Sequence, residues 1–147
     1  MRLWHQSLLP YLSTKRLVRQ HCECCALRGN GWGRKHRTVD YVFRHSPMLL
    51  VNYHMKVIQE MYRRGYTVDK VWLNALYRGK GHEPWTEEEL SAYKKVDTSF
   101  MYYNDTDSVQ KIVYPEHDEY YLRFCLEHLD RKGEHIDYHD WCNNYRP

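Results

Sequence analysis

The 147 residues carry 28% charged side chains at a mean hydropathy of −0.85, and no apolar run approaches the ~20 residues of a membrane span. Pro10, Lys15 and Arg16 interrupt any leader-like stretch, so neither a spanning segment nor a secretory signal is expected. The formal charge of +3 conceals an asymmetry: residues 1–45 hold nine Lys/Arg against Glu23 and Asp40, a net +7, which leaves −4 for the remainder.

A basic third on an acidic body fits a polyanionic partner met on one side. Of the five cysteines, Cys22, Cys24 and Cys25 fall within four residues, too close on one helix to pair readily with each other. A reduced, cytoplasmic protein is therefore expected. The length suits one domain, residues 1–147, with a core of its own.

The first helix is expected to begin after Pro10, capped by Ser13 or Thr14, and to stop at Gly29. At 100° per residue Leu17, Val18, His21, Cys22, Cys24 and Cys25 share a face expected to be buried. Arg16, Arg19, Gln20 and Glu23 share the opposite one. The stretch from Gly29 to Arg37 reads as a loop, because three glycines in five residues do not hold a helix and Asn30-Gly31 favours a turn. Ser46-Pro47 opens a second helix with stripe Leu50, Tyr53, Val57 and Met61, ended by Gly65.

Residues 67–85 read as irregular. Thr86 and Glu89 form a capping box for a third helix to about Lys95, and Asn104–Asp107 a turn. A fourth helix is predicted from Pro115, with Glu116, Asp118 and Glu119 in its first turn, stripe Tyr121, Phe124, Cys125 and Leu129, and an end at Arg131, Lys132 and Gly133. Four helices with long irregular connections and no strand alternation make the expected fold all-α, a compact helical domain.

Glu23 is the residue that asks for a chemical explanation. A carboxylate on a basic surface that meets a polyanion would repel it unless it took part in chemistry; the plain alternative is a surface pair with Arg19 at i, i+4. The loop offers accessible backbone N–H groups beside Arg34, Lys35, His36 and Arg37, with Trp32 available to stack on or wedge beside a base. His21, Cys22, Cys24 and Cys25 lack the distant second pair of a common zinc site and read as thiols of the interior, so no metal or cofactor is expected. His135, Asp137, His139 and Asp140 read as a polar tail.

The opening MRLWH, Glu23 in a helix, GWGRKH at Gly31–His36, Ser46-Pro47 and Arg64-Gly65-Tyr66 together resemble pyrimidine-dimer DNA glycosylases of the phage endonuclease V type. MRLWH with ECCALRGNGWG is similar to bacterial and phage proteins assigned to that family. The resemblance covers roughly residues 1–66. It implies a compact all-helical enzyme that cuts the glycosidic bond of a damaged base with its own α-amino group, assisted by a helical glutamate, and then nicks the strand as an abasic-site lyase.

Carried onto this chain, the glutamate is Glu23. Met1, followed by Arg2 and Leu3, stands where the phage enzyme has its processed threonine. Retention of Met1 is expected, and an α-amine with an ordinary pKa of about 7.7–8.0 is partly unprotonated at neutral pH. Cys22 and Ala26 stand where the phage pattern has arginines, and Arg16 where it has histidine. These departures bear on the substrate more than on amine-plus-glutamate chemistry.

Expected DNA contacts are Arg2, His5, Arg16, Arg19, Arg28, Trp32, Arg34, Lys35, His36 and Arg37, on double-stranded DNA holding a damaged or modified base, by a monomer in the cytoplasm or nucleoid. The alternative is a DNA-binding module on the same fold without catalysis.

Overall fold

A computed structural model describes residues 1–33, 36–91 and 113–137, with the backbone alone at Trp32 and Ser91. Among these residues the chain forms five α-helices and no strand: α1 Thr14–Arg28, α2 Arg37–Arg44, α3 Pro47–Arg63, α4 Glu87–Ser91 and α5 Glu119–Arg131. Short 3-10 turns occupy Gln6–Tyr11, Gly31–Gly33 and Lys70–Leu73. No helix among the described residues is long and apolar enough to cross a membrane.

Local signals set most of the helix ends. The Ser13 side chain accepts from Arg16 N, and Gly29 closes α1. Ser46 caps α3 with Pro47 in its first turn, and Gly65 follows at φ 87°. The Thr86–Glu89 box closes in both directions, Glu89 N to Thr86 Oγ1 at 3.1 Å and Thr86 N to Glu89 Oε1 at 3.2 Å. The expected extension to Lys95 and the turn at 104–107 lie outside the described residues. Gly31 needs its φ of 62°, and a Cβ there would stand 2.5 Å from Val39 Cγ2.

The core sits where α1 packs along α3, joined by the amino-terminal segment, α2 and α5. Leu3, Trp4, Leu8, Leu17, Leu27, Val42, Leu50, Tyr53, Val57, Tyr114, Leu122 and Leu129 are all buried in one cluster. Full burial of side chains of this size is worth roughly 1.5–3 kcal/mol each.

Three features differ from the sequence reading. On α1 the buried positions are Leu17, Gln20, Cys24, Leu27 and Arg28, while Val18 and Cys22 are exposed and His21 and Cys25 half-buried. The buried sector is thus turned by about a quarter of the helix circumference from the apolar one. Gln20 and Arg28 have polar partners inside, which offset much of the cost of burying them, and Glu23 comes to lie at the sector's edge.

The residues before Ser46 form α2, which the β-branched Thr38, Val39 and Val42 disguise. His36 caps it, accepting from Thr38 N at 3.1 Å, and Val39 and Val42 pack on the core. The last helix begins at Glu119, capped by Asp118, rather than at Pro115. Residues 113–117 are held in a turn: Val113 N donates to Gln6 Oε1 at 2.7 Å, and Gln6 N to His117 Nδ1 at 3.3 Å. In α5 the buried stripe is Leu122, Cys125 and Leu129; Tyr121 is half-buried and Phe124 is 45% exposed.

Candidate active site

The amino-terminal segment is tied down carbonyl by carbonyl. Thr38 Oγ1 donates to Met1 O at 3.2 Å, Gln20 Nε2 to Arg2 O at 2.8 Å, the Tyr121 hydroxyl to Leu3 O, and the Tyr53 hydroxyl to Trp4 O at 2.6 Å. Trp4 N donates in turn to Gln20 Oε1 at 2.8 Å. The four donors come from α2, α1, α5 and α3, so the segment is fixed only once these helices have packed. Hydrogen bonds of this kind contribute about 0.5–1.5 kcal/mol each.

Met1 then lines a cleft of about 170 Å³ together with Trp4, Gln20, Glu23 and His128. Arg2, Arg16, Arg19 and Lys132 bring cationic side chains to its walls. The Glu23 side chain is 14% exposed; Gln20 Nε2 lies 3.1 Å from its Oε2 and Arg19 Nε 3.5 Å from its Oε1. The Arg19 pair expected as the plain alternative is therefore present. With Arg19 77% exposed, solvent screens it to a few tenths of a kcal/mol, about what an exposed i, i+4 pair yields.

Aromatic faces hold two of the cations. The Arg2 guanidinium lies over Phe124 at 4.8 Å and Trp4 at 5.5 Å, and that of Arg16 over Trp4 at 5.3 Å. Arg16 also pairs with Glu134 at 2.6 Å. Burial and then Arg2, Lys132, Arg131 and Arg16 lower the His128 pKa from the ordinary imidazole value, which favours its neutral ring at the cleft.

Two expected DNA contacts are turned inward. His5 is buried: its Nδ1 accepts from Ser7 N at 3.1 Å, so Nε2 carries the proton and donates to His117 O at 2.8 Å. Arg28 is fully buried, donating to Trp72 O at 2.9 Å and to Asn74 O, with its guanidinium 5.2 Å from the Trp72 ring. Burial pulls its pKa down to about 10, which leaves it charged at neutral pH. Arg28 staples residues 72–74 to α1 and is out of reach of a phosphate. His36 and Arg37 are exposed at the start of α2 and do not line the cleft, although Thr38 beside them bonds to Met1, whereas the Trp32 side chain, Arg34 and Lys35 lie outside the described residues.

His21, Cys25 and His54 bring ligand-type atoms within 4.8 Å of one another. Arg28 Nη1 can only donate, so His54 Nδ1, 3.2 Å away, is the acceptor and His54 Nε2 carries the proton given to His21 Nδ1 at 2.8 Å. His21 Nε2 then faces Cys25 Sγ at 3.7 Å. A metal on His54 Nε2 would force that proton onto Nδ1, against the guanidinium. The four described cysteines, Cys22, Cys24, Cys25 and Cys125, are free thiols.

The residues that sequence reasoning passed over are Gln20, Thr38, Tyr53, Tyr121, His128 and Lys132. Gln20 carried a usable signal, three residues before Glu23 on one helix face; the others reach the site only through the packing of distant helices.

Comparison with known proteins follows from residue 1: the family described as pyrimidine dimer DNA glycosylase matches residues 1–74. The chain belongs to this family. The matched half contains Met1, Arg2, Arg16, Arg19, Gln20 and Glu23, while His128 and Lys132 reach the cleft from beyond it. Neither a search of curated proteins nor one of solved structures finds a match.

Proposed function

We propose that this pyrimidine dimer glycosylase family member excises a damaged or modified base from double-stranded DNA and nicks the abasic site. The α-amine of Met1 is the nucleophile and Glu23 the acid/base. The observation that carries the reading is that Met1 and Glu23 line one cleft, at the end of a segment whose successive carbonyls are tied by side chains of four helices. Ordering a residue costs about 1–2 kcal/mol of backbone entropy. Those bonds and the burial of Leu3 and Trp4 offset it here.

In the reaction the free amine attacks C1′ of the target nucleotide and the C1′–N bond breaks, the base leaving with the bonding pair and taking up a proton. The attached amine loses a proton, its lone pair forms the C1′=N bond as the C1′–O4′ bond breaks, and O4′ takes up a proton, which leaves an imine to the opened sugar. Glu23 stabilises the cationic sugar and then accepts the C2′ proton as the C3′–O bond breaks, which cuts the strand. Water hydrolyses the imine and returns the amine.

Arg2, Arg19 and Lys132 hold phosphates around the cleft, with Arg16 shared with Glu134. The target nucleotide must leave the helical stack to meet them.

The test is nicking of a duplex with one abasic site, using protein whose intact mass shows that it begins at Met1. Nicking that acetylation of the terminus abolishes, and that Glu23→Gln slows by about 10²–10⁴-fold, is the expected result. Duplex binding with no nicking by the unmodified protein would overturn the proposal and leave a binding module.

A further inference from the structure

We infer that Gln20 is the positioning residue of this cleft: its carboxamide ties the amino-terminal segment and Glu23 to one group, and so sets the spacing between the amine and the acid. The inference rests on the proposed amine-plus-glutamate chemistry for its kinetic consequence, but not for its structural one.

Gln20 is 1% exposed in the middle of α1, where an unpartnered carboxamide would be costly. Its orientation is unambiguous. Trp4 N is a donor and must face Oε1, at 2.8 Å; Arg2 O is an acceptor and must face Nε2, also at 2.8 Å. Nε2 therefore presents its second N–H to Glu23 Oε2 at 3.1 Å, while Oε1 also shares the proton of the Tyr53 hydroxyl, 3.0 Å away. Both donors and the acceptor oxygen are engaged, which is the condition for a buried polar group to rigidify its surroundings.

The arrangement works as a ruler. Gln20 grips the chain on both sides of Leu3, at Arg2 O and Trp4 N, and Thr38 holds Met1 O. Beyond those grips the amine has the freedom of a single residue. One residue more or fewer at the terminus would displace it by about 3.3–3.6 Å, a misplacement large enough to forfeit attack geometry. The same carboxamide fixes the carboxylate that must work on the imine the amine forms.

The experiment compares wild type with Gln20→Met, which keeps the side-chain length and removes the hydrogen bonds, and Gln20→Glu, which sets a second carboxylate against Glu23. Gln20→Met is expected to slow borohydride-trappable imine formation on abasic duplex by about 10–100-fold, the effect of one to two lost hydrogen bonds, while duplex affinity stays within about threefold. Gln20→Glu is expected to move the acid limb of the rate profile to higher pH, because two adjacent carboxylates cannot both ionise readily. A fall in affinity parallel to the fall in rate, or an unmoved profile, would overturn the positioning role.

Hydrogen exchange at residues 2–5 gives a readout independent of activity. It should rise in Gln20→Met with exchange in α1 unchanged; equal protection in wild type and variant would overturn the inference. Exchange that rises while the wild type forms no imine would instead sink the proposed chemistry and leave the tether standing.

Discussion

Replacing Arg28 by Met separates an internal staple from a DNA contact. The substitution leaves Trp72 O and Asn74 O without their donor and removes a buried cation from the Trp72 face. Each orphaned carbonyl costs about 1–3 kcal/mol, at the low end here because Asn74 is exposed and its segment can turn toward water. The cation–π contact adds up to about 2 kcal/mol when desolvated, and relief of the buried charge returns part of the loss. The net expectation is a destabilisation of about 3 kcal/mol, read from urea unfolding at neutral pH. Duplex affinity of the folded variant should keep the wild-type dependence on salt. Unchanged stability, with the slope of log affinity against log salt smaller by about one, would refute the reasoning and return Arg28 to the DNA interface.

Other outcomes follow from the same contacts. Burial drives the His117 pKa down to about 3 from 6.5, and those of His5 and His54 in the same direction. The unfolded chain then binds protons that the folded one does not, and stability is complete above pH 6.5 and declines as pH falls toward 3. From His117 the loss at pH 5 is about 2 kcal/mol, so unfolding titrations should show a decline well above the carboxylate range, and a flat stability between pH 7 and 5 would contradict it. Arg19→Ala and Lys132→Ala should each lower the salt slope of duplex binding by about one while leaving nicking at saturating DNA within about threefold. A lost rate at saturation would assign these side chains to the chemistry.

What the sequence made legible is what neighbours in the chain decide. Ser13, Ser46-Pro47 and Thr86–Glu89 each close a helix end with atoms two or three residues away, and they were readable for that reason. The face that α1 buries was not, because Gln20 and Arg28 become interior residues through Tyr53 and through Trp72 and Asn74 carbonyls, 33 to 46 residues distant. The start of α5 was obscured in the same way: His117 is bound to residues 5 and 6, which no local propensity reports. In the cleft, Glu23 and Met1 could be picked out from the amino-terminal motif. His128 on α5 and Lys132 at its carboxyl end lie outside the matched family region and reach the cleft only through packing.

The central claim is tested most directly by reducing the protein with borohydride during incubation with an abasic duplex and mapping the adduct by mass. The account predicts one covalent adduct on the peptide that begins at Met1, attached through its α-nitrogen. An adduct on a lysine side chain, or none from protein that binds the duplex, would contradict it.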